Sequence, residues 1–171
     1  TSHHSGEEQV LSVGKNSCLD STVLRLSNSF GYPLTDQTAC WGLVLNQFIR
    51  DAFLKGRIII NGDCSSKRDF LPITTLNQIL IVILKYRLSL PSIVNVSSGE
   101  SRTLLEVAVL VTEMITNISK RKIVINKHKS SKPEVDLIIQ NNALKGMGIS
   151  VDQNLNQEIN DLILDVSVKS Q

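Results

Sequence analysis

The sequence predicts an α/β fold with a largely parallel sheet. Two observations lead to this prediction. Strand-like runs alternate with helical patterns along the chain, and these runs are β-branched without polar alternation. Parallel strands that are covered on both faces have this composition. Apolar residues make up 42% of the 171 residues, which is enough for a hydrophobic core.

The first part of the chain is predicted to contain two helices and two strands. They are a helix over residues 7–13, a strand over 22–28, a helix over 38–55 and a strand over 57–60. The loop at 29–33 contains Gly and Pro, which interrupt regular structure. Apolar residues recur at helical spacing in the second helix, and Gly56 stands at its C-terminal cap.

The remaining elements follow the same alternation. We expect strands at 69–73, 92–96 and 122–126, an extended segment at 135–139, and helices at 76–85, 104–118, 141–147 and 154–164. Thr74 or Thr75 can cap the helix at 76–85. Ser101 or Thr103 can cap the helix that begins at residue 104.

Composition excludes several classes of protein. The 18 Lys and Arg exceed the 16 Asp and Glu by only two, and aromatic residues are 4%, so we expect no nucleic-acid partner. Cys18, Cys40 and Cys64 are odd in number and widely spaced, which predicts free thiols, no metal site and a cytoplasmic location. No apolar run reaches the ~18–20 residues that span a bilayer, so we expect no membrane partner.

Two residues are candidates for ligand contacts, each with an alternative. Arg68 at a strand entrance can grip a phosphate with two parallel donors, or form an exposed ion pair with Asp69. Asn28 follows a strand, at the position where parallel sheets bind ligands, and its amide could contact a ligand there. The alternative is that Asn28 is a turn residue whose side chain bonds its own backbone. The sequence contains no Gly-x-Gly-x-x-Gly and no Gly-x-x-x-x-Gly-Lys-Ser/Thr loop.

Taken in order, several segments resemble the C-terminal portion of the extended short-chain dehydrogenase/reductases, the NAD-dependent epimerase/dehydratase family. The segments are Val-Leu-Arg-Leu-Ser-Asn-Ser-Phe-Gly at 23–31, Phe-Ile-Arg-Asp-Ala-Phe-Leu-Lys-Gly at 48–56, Ile-Ile-Ile-Asn-Gly at 58–62, Arg-Asp-Phe at 68–70 and Ile-Val-Asn-Val-Ser-Ser-Gly at 93–99. A weaker match is Ala-Leu-Lys-Gly-Met-Gly-Ile at 143–149.

The resemblance implies a fold of two parts. Residues 1–37 would end a Rossmann-like NAD(P)-binding domain with a parallel sheet. Residues 38–171 would form mainly a small α/β substrate-binding part, with 92–118 returning to the Rossmann sheet. NAD or NADP would be the cofactor, bound mostly by residues upstream of this chain, and a nucleotide-activated sugar would be the substrate.

The resemblance also implies roles for particular residues. Asn28 would contact the substrate, and Arg68 would clamp its diphosphate. The other positions would surround the same ligands: Ser27 and Ser29 near the nicotinamide, Ile59 and Asn61 in the base pocket, and Leu45 and Asn46 over the nucleotide. Residues 2–7 read Ser-His-His-Ser-Gly-Glu, which puts His3 where the family has its catalytic Lys.

The expected function is therefore that of a nucleotide-sugar epimerase, dehydratase or reductase, in the synthesis of surface-polysaccharide sugars. The expected chemistry is hydride transfer between NAD(P) and a sugar carbon. The alternative is a non-catalytic binding or regulatory module that keeps the fold without the reaction, which the substitution of His3 for Lys favours. The helix at 7–13 would belong to a dimer interface, so the full-length protein is expected to be a homodimer.

Overall fold

The computed structural model describes residues 2–33, 35, 39–128, 135–150 and 154–169. Within these residues the chain alternates between strands and helices, as predicted, with a 3-10 turn before the second helix. In chain order the elements are α1 (Ser2–Asn16), β1 (Val23–Leu26), β2 (Asn28–Phe30), the 3-10 turn (Ala39–Gly42), α2 (Val44–Lys55), β3 (Arg57–Asn61), β4 (Lys67–Pro72), α3 (Ile73–Lys85), β5 (Ile93–Val96), β6 (Ser101–Thr103), α4 (Leu104–Ser119), β7 (Val124–His128), α5 (Asn142–Gly146) and α6 (Leu155–Lys169).

The strands form three small sheets in the described residues, and most pairs are parallel. The strand β1 pairs with β5, β3 pairs with β7, and β2 pairs with β4, all in parallel. The short strand β6 adds to β4 in the antiparallel direction. This arrangement confirms the α/β class and the largely parallel strands.

Two hydrophobic clusters form the core, and β4 contributes to both. Phe70 is buried with residues of α2, α4, α6 and β3, among them Ile49, Ile58 and Ile163. Leu71, the next residue of β4, is buried in the second cluster with α3, α5 and β5. Successive residues of a strand point to opposite faces, so β4 is the wall that separates the two clusters.

Residues 92–118 are divided between these two clusters. The strand β5 pairs in parallel with β1, and its assignment to a Rossmann sheet stays a prediction. The helix α4 packs instead into the first cluster, through Val107, Val111 and Ile115. The return to the β1 sheet is therefore made by β5, and α4 supports the part of the chain built on α2 and α6.

The first predicted strand differs from the structure. The run at 22–28 is divided at Ser27 into β1 and β2, and residues 29 and 30, predicted as loop, belong to β2. The division occurs because β1 pairs with β5 whereas β2 pairs with β4, so the chain changes sheets at Ser27. The sequence also gave no signal for β6, which is only three residues long.

The helix caps confirm two predictions and overturn one. Gly56 adopts φ 64° at the end of α2, and Thr103 caps α4 in a capping box with Glu106. Thr74 and Thr75 do not cap α3, because the helix already begins at Ile73. The Thr74 N–H and hydroxyl donate instead to Glu158 Oε2 of α6, at 3.3 and 2.5 Å. A carboxylate 84 residues away thus serves the N-terminus of α3.

Smaller differences concern the ends of elements. The helices α1 and α6 are longer than predicted, and β7 begins two residues later. The extended segment at 135–139 contributes a single parallel bridge, between Leu137 and Arg68.

The three cysteines carry free thiols, as expected. None of the helices in the described residues is long and apolar enough to cross a membrane.

The helix α1 contains no buried residue and is tied to β1 by one ion pair. Arg25 Nη2 donates to Glu7 Oε2 at 2.7 Å, and Arg25 Nε donates to Glu7 Oε1 at 3.1 Å. This hydrogen-bonded guanidinium lowers the pKa of the Glu7 carboxyl below its ordinary value of 4.5. A carboxyl with a lowered pKa stabilises the folded state above its unfolded pKa, and the contribution is lost as pH falls through the folded pKa.

We therefore expect α1 to loosen from β1 as pH falls below 4.5, the ordinary Glu pKa, because the folded-state pKa lies below that value. Glu7→Gln should remove the pH dependence by weakening the attachment at all pH values. Hydrogen exchange of the α1 amides between neutral and acid pH measures both effects. Glu8→Gln is the control, since Glu8 pairs with His4 on the same helix and not with β1 within the described residues. Equal acid sensitivity in wild type and Glu7→Gln would contradict this account.

Candidate functional site

The point where the chain changes sheets is held by a buried carboxylate. Asp69 is 1% exposed. Its Oδ1 accepts from Ser27 Oγ at 2.5 Å and from the Ser98 N–H at 2.9 Å. Its Oδ2 accepts from Ser98 Oγ at 2.8 Å and from the Gly99 N–H at 2.9 Å. Asp69 thus fastens the carboxyl ends of β1 and β5 to β4.

This network decides one alternative that the sequence left open. Asp69 is buried and engaged with Ser27, Ser98 and Gly99, so the exposed Arg68–Asp69 ion pair is wrong. Arg68 and Asp69 are neighbours on a strand and point to opposite faces. The backbone N–H groups of Ser98 and Gly99 donate to this protein carboxylate.

A cavity of about 160 Å³ lies beside this network. Three predicted site residues line it, namely Asn28, Ser29 and Leu45, together with the ring of Phe70. Asn28 lies opposite Phe70 in the β2–β4 pair, and its Nδ2 donates to the Asp69 carbonyl at 3.0 Å. Asn28 is therefore not a turn residue that bonds its own backbone; it crosses to β4, and its side chain remains exposed.

The two serines that flank Asn28 differ in what their hydroxyls do. Ser27 Oγ donates to Asp69 and is committed to the network. Ser29 Oγ is buried and has no hydrogen-bond partner within the described residues. A buried hydroxyl without a partner is costly, and a polar ligand group beside it would remove that cost. Ser29 therefore fits a bound polar group such as part of a nicotinamide nucleotide, whereas Ser27 does not have a hydroxyl proton to offer.

The first turn of α2 supports the cavity from the side. Leu45 is 1% exposed and lines it directly. Asn46 is fully buried, and its amide forms two hydrogen bonds with the backbone of Gly31, at 3.0 and 3.3 Å. This pair of hydrogen bonds holds the residue that follows β2 against α2. A direct contact between the Asn46 amide and a substrate would require these hydrogen bonds to Gly31 to break, and that contact stays a prediction.

The remaining predicted residues lie farther from the cavity. Ile59 and Asn61 share one face of β3, half-buried and exposed respectively, and neither lines it. His3 is exposed in the first turn of α1. Arg68 is the second residue of β4 and lies directly opposite Arg102 of β6. Sequence reasoning missed Asp69 and Ser98, which long-range hydrogen bonds bring together beside the cavity, and Arg102, which the β4–β6 register places opposite Arg68.

A larger cleft, of about 630 Å³, lies at the other end of β1 and β5. Its lining includes Thr22 and Ser92, which precede these strands, and it includes none of the predicted site residues. Ligands of parallel α/β sheets bind outside the carboxyl ends of the strands. We therefore place the candidate site at the smaller cavity, just beyond the carboxyl end of β1 at Leu26.

Comparison with known proteins identifies the fold. The UDP-N-acetylglucosamine 4-epimerase from Methanobrevibacter ruminantium superposes with a TM-score of 0.76 at 21% identity, covering 98% of this chain and 52% of the epimerase. The UDP-glucose 4-epimerase from Thermotoga maritima gives 0.74 at 17% identity, with 98% and 52% covered. RMD from Pseudomonas aeruginosa, solved as a complex with NADPH, gives a TM-score of 0.72 at 17% identity, covering 95% of this chain and 54% of RMD. No family model and no curated protein matches the sequence.

The fold is that of the extended short-chain dehydrogenase/reductases, the Rossmann-like enzymes that include nucleotide-sugar epimerases and dehydratases. The resemblance inferred from the sequence is thereby confirmed for the fold. The chain spans about half the length of the solved structures that it matches.

Proposed function

We propose that the protein is a nucleotide-sugar epimerase, dehydratase or reductase that uses NAD or NADP for hydride transfer at a sugar carbon. The observation that carries this proposal is the cavity lined by Asn28, Ser29 and Leu45 at the carboxyl end of β1, within this fold. Solved proteins of the same fold are described as complexes with UDP-sugars, NAD or NADPH. A role in making surface-polysaccharide sugars, in the cytoplasm, is part of the proposal.

The residues of this chain would bind and orient the substrate. The exposed side chain of Asn28 can hydrogen-bond a sugar hydroxyl at the mouth of the cavity. The guanidinium of Arg68 can hold two diphosphate oxygens with parallel donors. Phe70 and Leu45 form apolar walls, which exclude water from the cavity and strengthen the polar contacts inside it. Ile59 and Asn61 would contact the base.

A bound nicotinamide would supply the hydride acceptor and donor. Ser29 fits this group best among the described residues, because its buried hydroxyl has no other partner in them. His3 would stand in for the family Lys as a hydrogen-bonding group. The division at residue 37, between an NAD(P)-binding domain and a substrate-binding part, belongs to the same proposal, and the pairing of β5 with β1 supports it.

We also propose that the intact protein is a homodimer, formed through α1. No residue of this helix is buried, and Val10 and Val13 are 41% and 52% exposed. Burial of these side chains against a second copy would remove apolar surface from water.

Arg68→Ala should weaken the binding of a nucleotide-sugar to the intact protein by about tenfold or more, since one charge-assisted hydrogen bond contributes roughly 1.5–3 kcal/mol. Arg68→Lys should lose nearly as much, because an ammonium cannot bridge two phosphate oxygens. Titration calorimetry with UDP-, dTDP-, GDP- and CDP-sugars measures these changes.

The control is Arg121→Ala, at an exposed position between α4 and β7. It should leave affinity unchanged, and none of the variants should lower the melting temperature by more than a few degrees. Unchanged affinity in Arg68→Ala would reject the diphosphate role. The non-catalytic alternative is tested in the same samples: binding of the sugar nucleotide without any turnover, with NAD or NADP added, would favour it.

A further inference from the structure

We propose that Arg102 of β6 is a second contact for the substrate diphosphate, so that Arg68 and Arg102 together form a two-arginine clamp across β4 and β6. This inference rests on the proposed function and names a residue that it does not use. Sequence reasoning gave Arg102 no role, and the resemblance assigned a phosphate contact only to Arg68.

The register of the two strands carries the proposal. Arg68 and Arg102 are directly opposite partners in the antiparallel β4–β6 pair. Such partners project from the same face of a sheet, with Cβ atoms about 4.5–5.5 Å apart. A diphosphate bound beside both side chains can accept hydrogen bonds from each guanidinium through its two phosphate groups.

The backbone of Arg102 is held firmly on both sides. Its neighbours Ser101 and Thr103 pair with Asp69 and Lys67 of β4. Thr103 is also the N-cap of α4, with its hydroxyl and the Glu106 carboxylate completing a capping box. The side chain therefore projects from a rigid base, which reduces the entropy lost when it binds a ligand.

The present partner of Arg102 is one that a ligand can displace. Arg102 Nη2 donates to Glu100 Oε2 at 3.2 Å, and the two side chains are 42% and 54% exposed. An exposed pair with a single contact is weakly stabilising. Glu100 keeps the guanidinium near the site without burying it, and a diphosphate with greater charge can replace the carboxylate.

The position of Phe70 connects this pair with the cavity. Its ring lines the cavity of Asn28 and also a small cleft formed with Glu100 and Arg102. Phe70 and Arg68 are two residues apart on β4, which corresponds to about 6.6 Å along a strand. A sugar bound beside Asn28 would thus have its diphosphate over Arg68 and Arg102, on the same face of the sheet.

The test compares nucleoside diphosphates with monophosphates in the intact protein. The probes are UDP, dTDP, GDP and CDP, each with its monophosphate, titrated by calorimetry into wild type and variants. We expect Arg102→Gln to weaken the best-bound diphosphate about tenfold and its monophosphate by less than about threefold, since the clamp needs both phosphates. Glu100→Gln should strengthen diphosphate binding severalfold, because it releases Arg102. Arg121→Gln, which removes one exposed positive charge elsewhere, should change neither.

The possible results separate this inference from the proposed function. Diphosphate binding that is unchanged in Arg102→Gln but weakened in Arg68→Ala overturns the clamp and leaves the proposed function standing. Equal losses for diphosphate and monophosphate also overturn it. Failure of wild type to bind any of the four diphosphates rejects the proposed function and the clamp with it. If Arg102→Gln lowers the melting temperature, diphosphate binding is compared in Glu100→Gln and Arg102→Lys instead, because both variants keep a positive charge on β6. Stronger binding in Glu100→Gln would support the clamp, and unchanged binding in both variants would overturn it.

Discussion

Asp69→Asn is expected to lower the free energy of unfolding by about 3–5 kcal/mol, one of the two largest effects that we foresee for a single substitution. The carboxylate accepts four hydrogen bonds from three residues, and two of the donors are backbone N–H groups that cannot rotate away. An asparagine amide has one accepting oxygen, and its NH₂ group would face the Ser98 or the Gly99 N–H. At least one buried donor would lose its partner, at a cost of about 1–3 kcal/mol in addition to the lost charge-assisted bonds.

Denaturant unfolding of the purified variant measures this change. The matched control is Asp63→Asn, because Asp63 also accepts bonds from a backbone N–H and a hydroxyl, but both come from Ser65 in an exposed turn. We expect this control to leave the unfolding midpoint close to that of wild type, because solvent replaces the lost contacts. Similar unfolding midpoints for Asp69→Asn and wild type would show that the network contributes little to stability.

Gly31→Ala is the second substitution with a large expected effect, a loss of about 2–5 kcal/mol in unfolding free energy. Gly31 has φ 153°, and a Cβ atom there would lie 2.4 Å from both Glu158 Oε1 and Ile73 Cγ2. Ile73 is β-branched and begins α3, so it cannot turn aside. Glu158 could move only by giving up the hydrogen bonds that it accepts from Thr74.

Thermal melting compares this variant with Gly6→Ala. A Cβ atom at Gly6 would meet nothing within 4 Å, and the residue lies inside α1. Alanine there should stabilise the helix by about 0.5–1 kcal/mol. Opposite changes in melting temperature for the two glycines are therefore expected, and a Gly31→Ala protein that melts with wild type would contradict the packing described for β2.

The sequence predicted those features of the fold that depend on interactions between neighbouring residues. The alternation of strands and helices, the cap at Gly56 and the start of α4 at Thr103 all follow from residues within a few positions of each other. The ordered segments around Asn28 and Arg68 also predicted the fold. The interpretation of Thr74 or Thr75 as a cap was wrong because Glu158, from α6, satisfies the same helix end.

The missing parts of the site depend on contacts between distant segments. Asp69 follows Arg68 in the sequence and invited the interpretation of an ion pair, but its partners lie 42 and 29 residues away. Arg102 meets Arg68 only through the register of β6, a strand too short to show a pattern. The break at Ser27 was hidden because residues 22–28 were interpreted as one strand, and only pairing with different partners divides them.

The Asp69 network also has a consequence for the order in which the protein acquires its structure. Contacts of Asp69 with Ser27 and Ser98 close chain loops of 42 and 29 residues. Such non-local contacts form slowly, because the chain loses conformational entropy on closing the loop before the contact stabilises it. During synthesis, a chain that has emerged only to residue 90 has the carboxylate but lacks the Ser98 and Gly99 donors. The edge of the cavity at Asn28, which hydrogen-bonds the backbone of Asp69, is then not yet fixed. The Asp69 network beside the candidate cavity is accordingly completed only after β5 has docked.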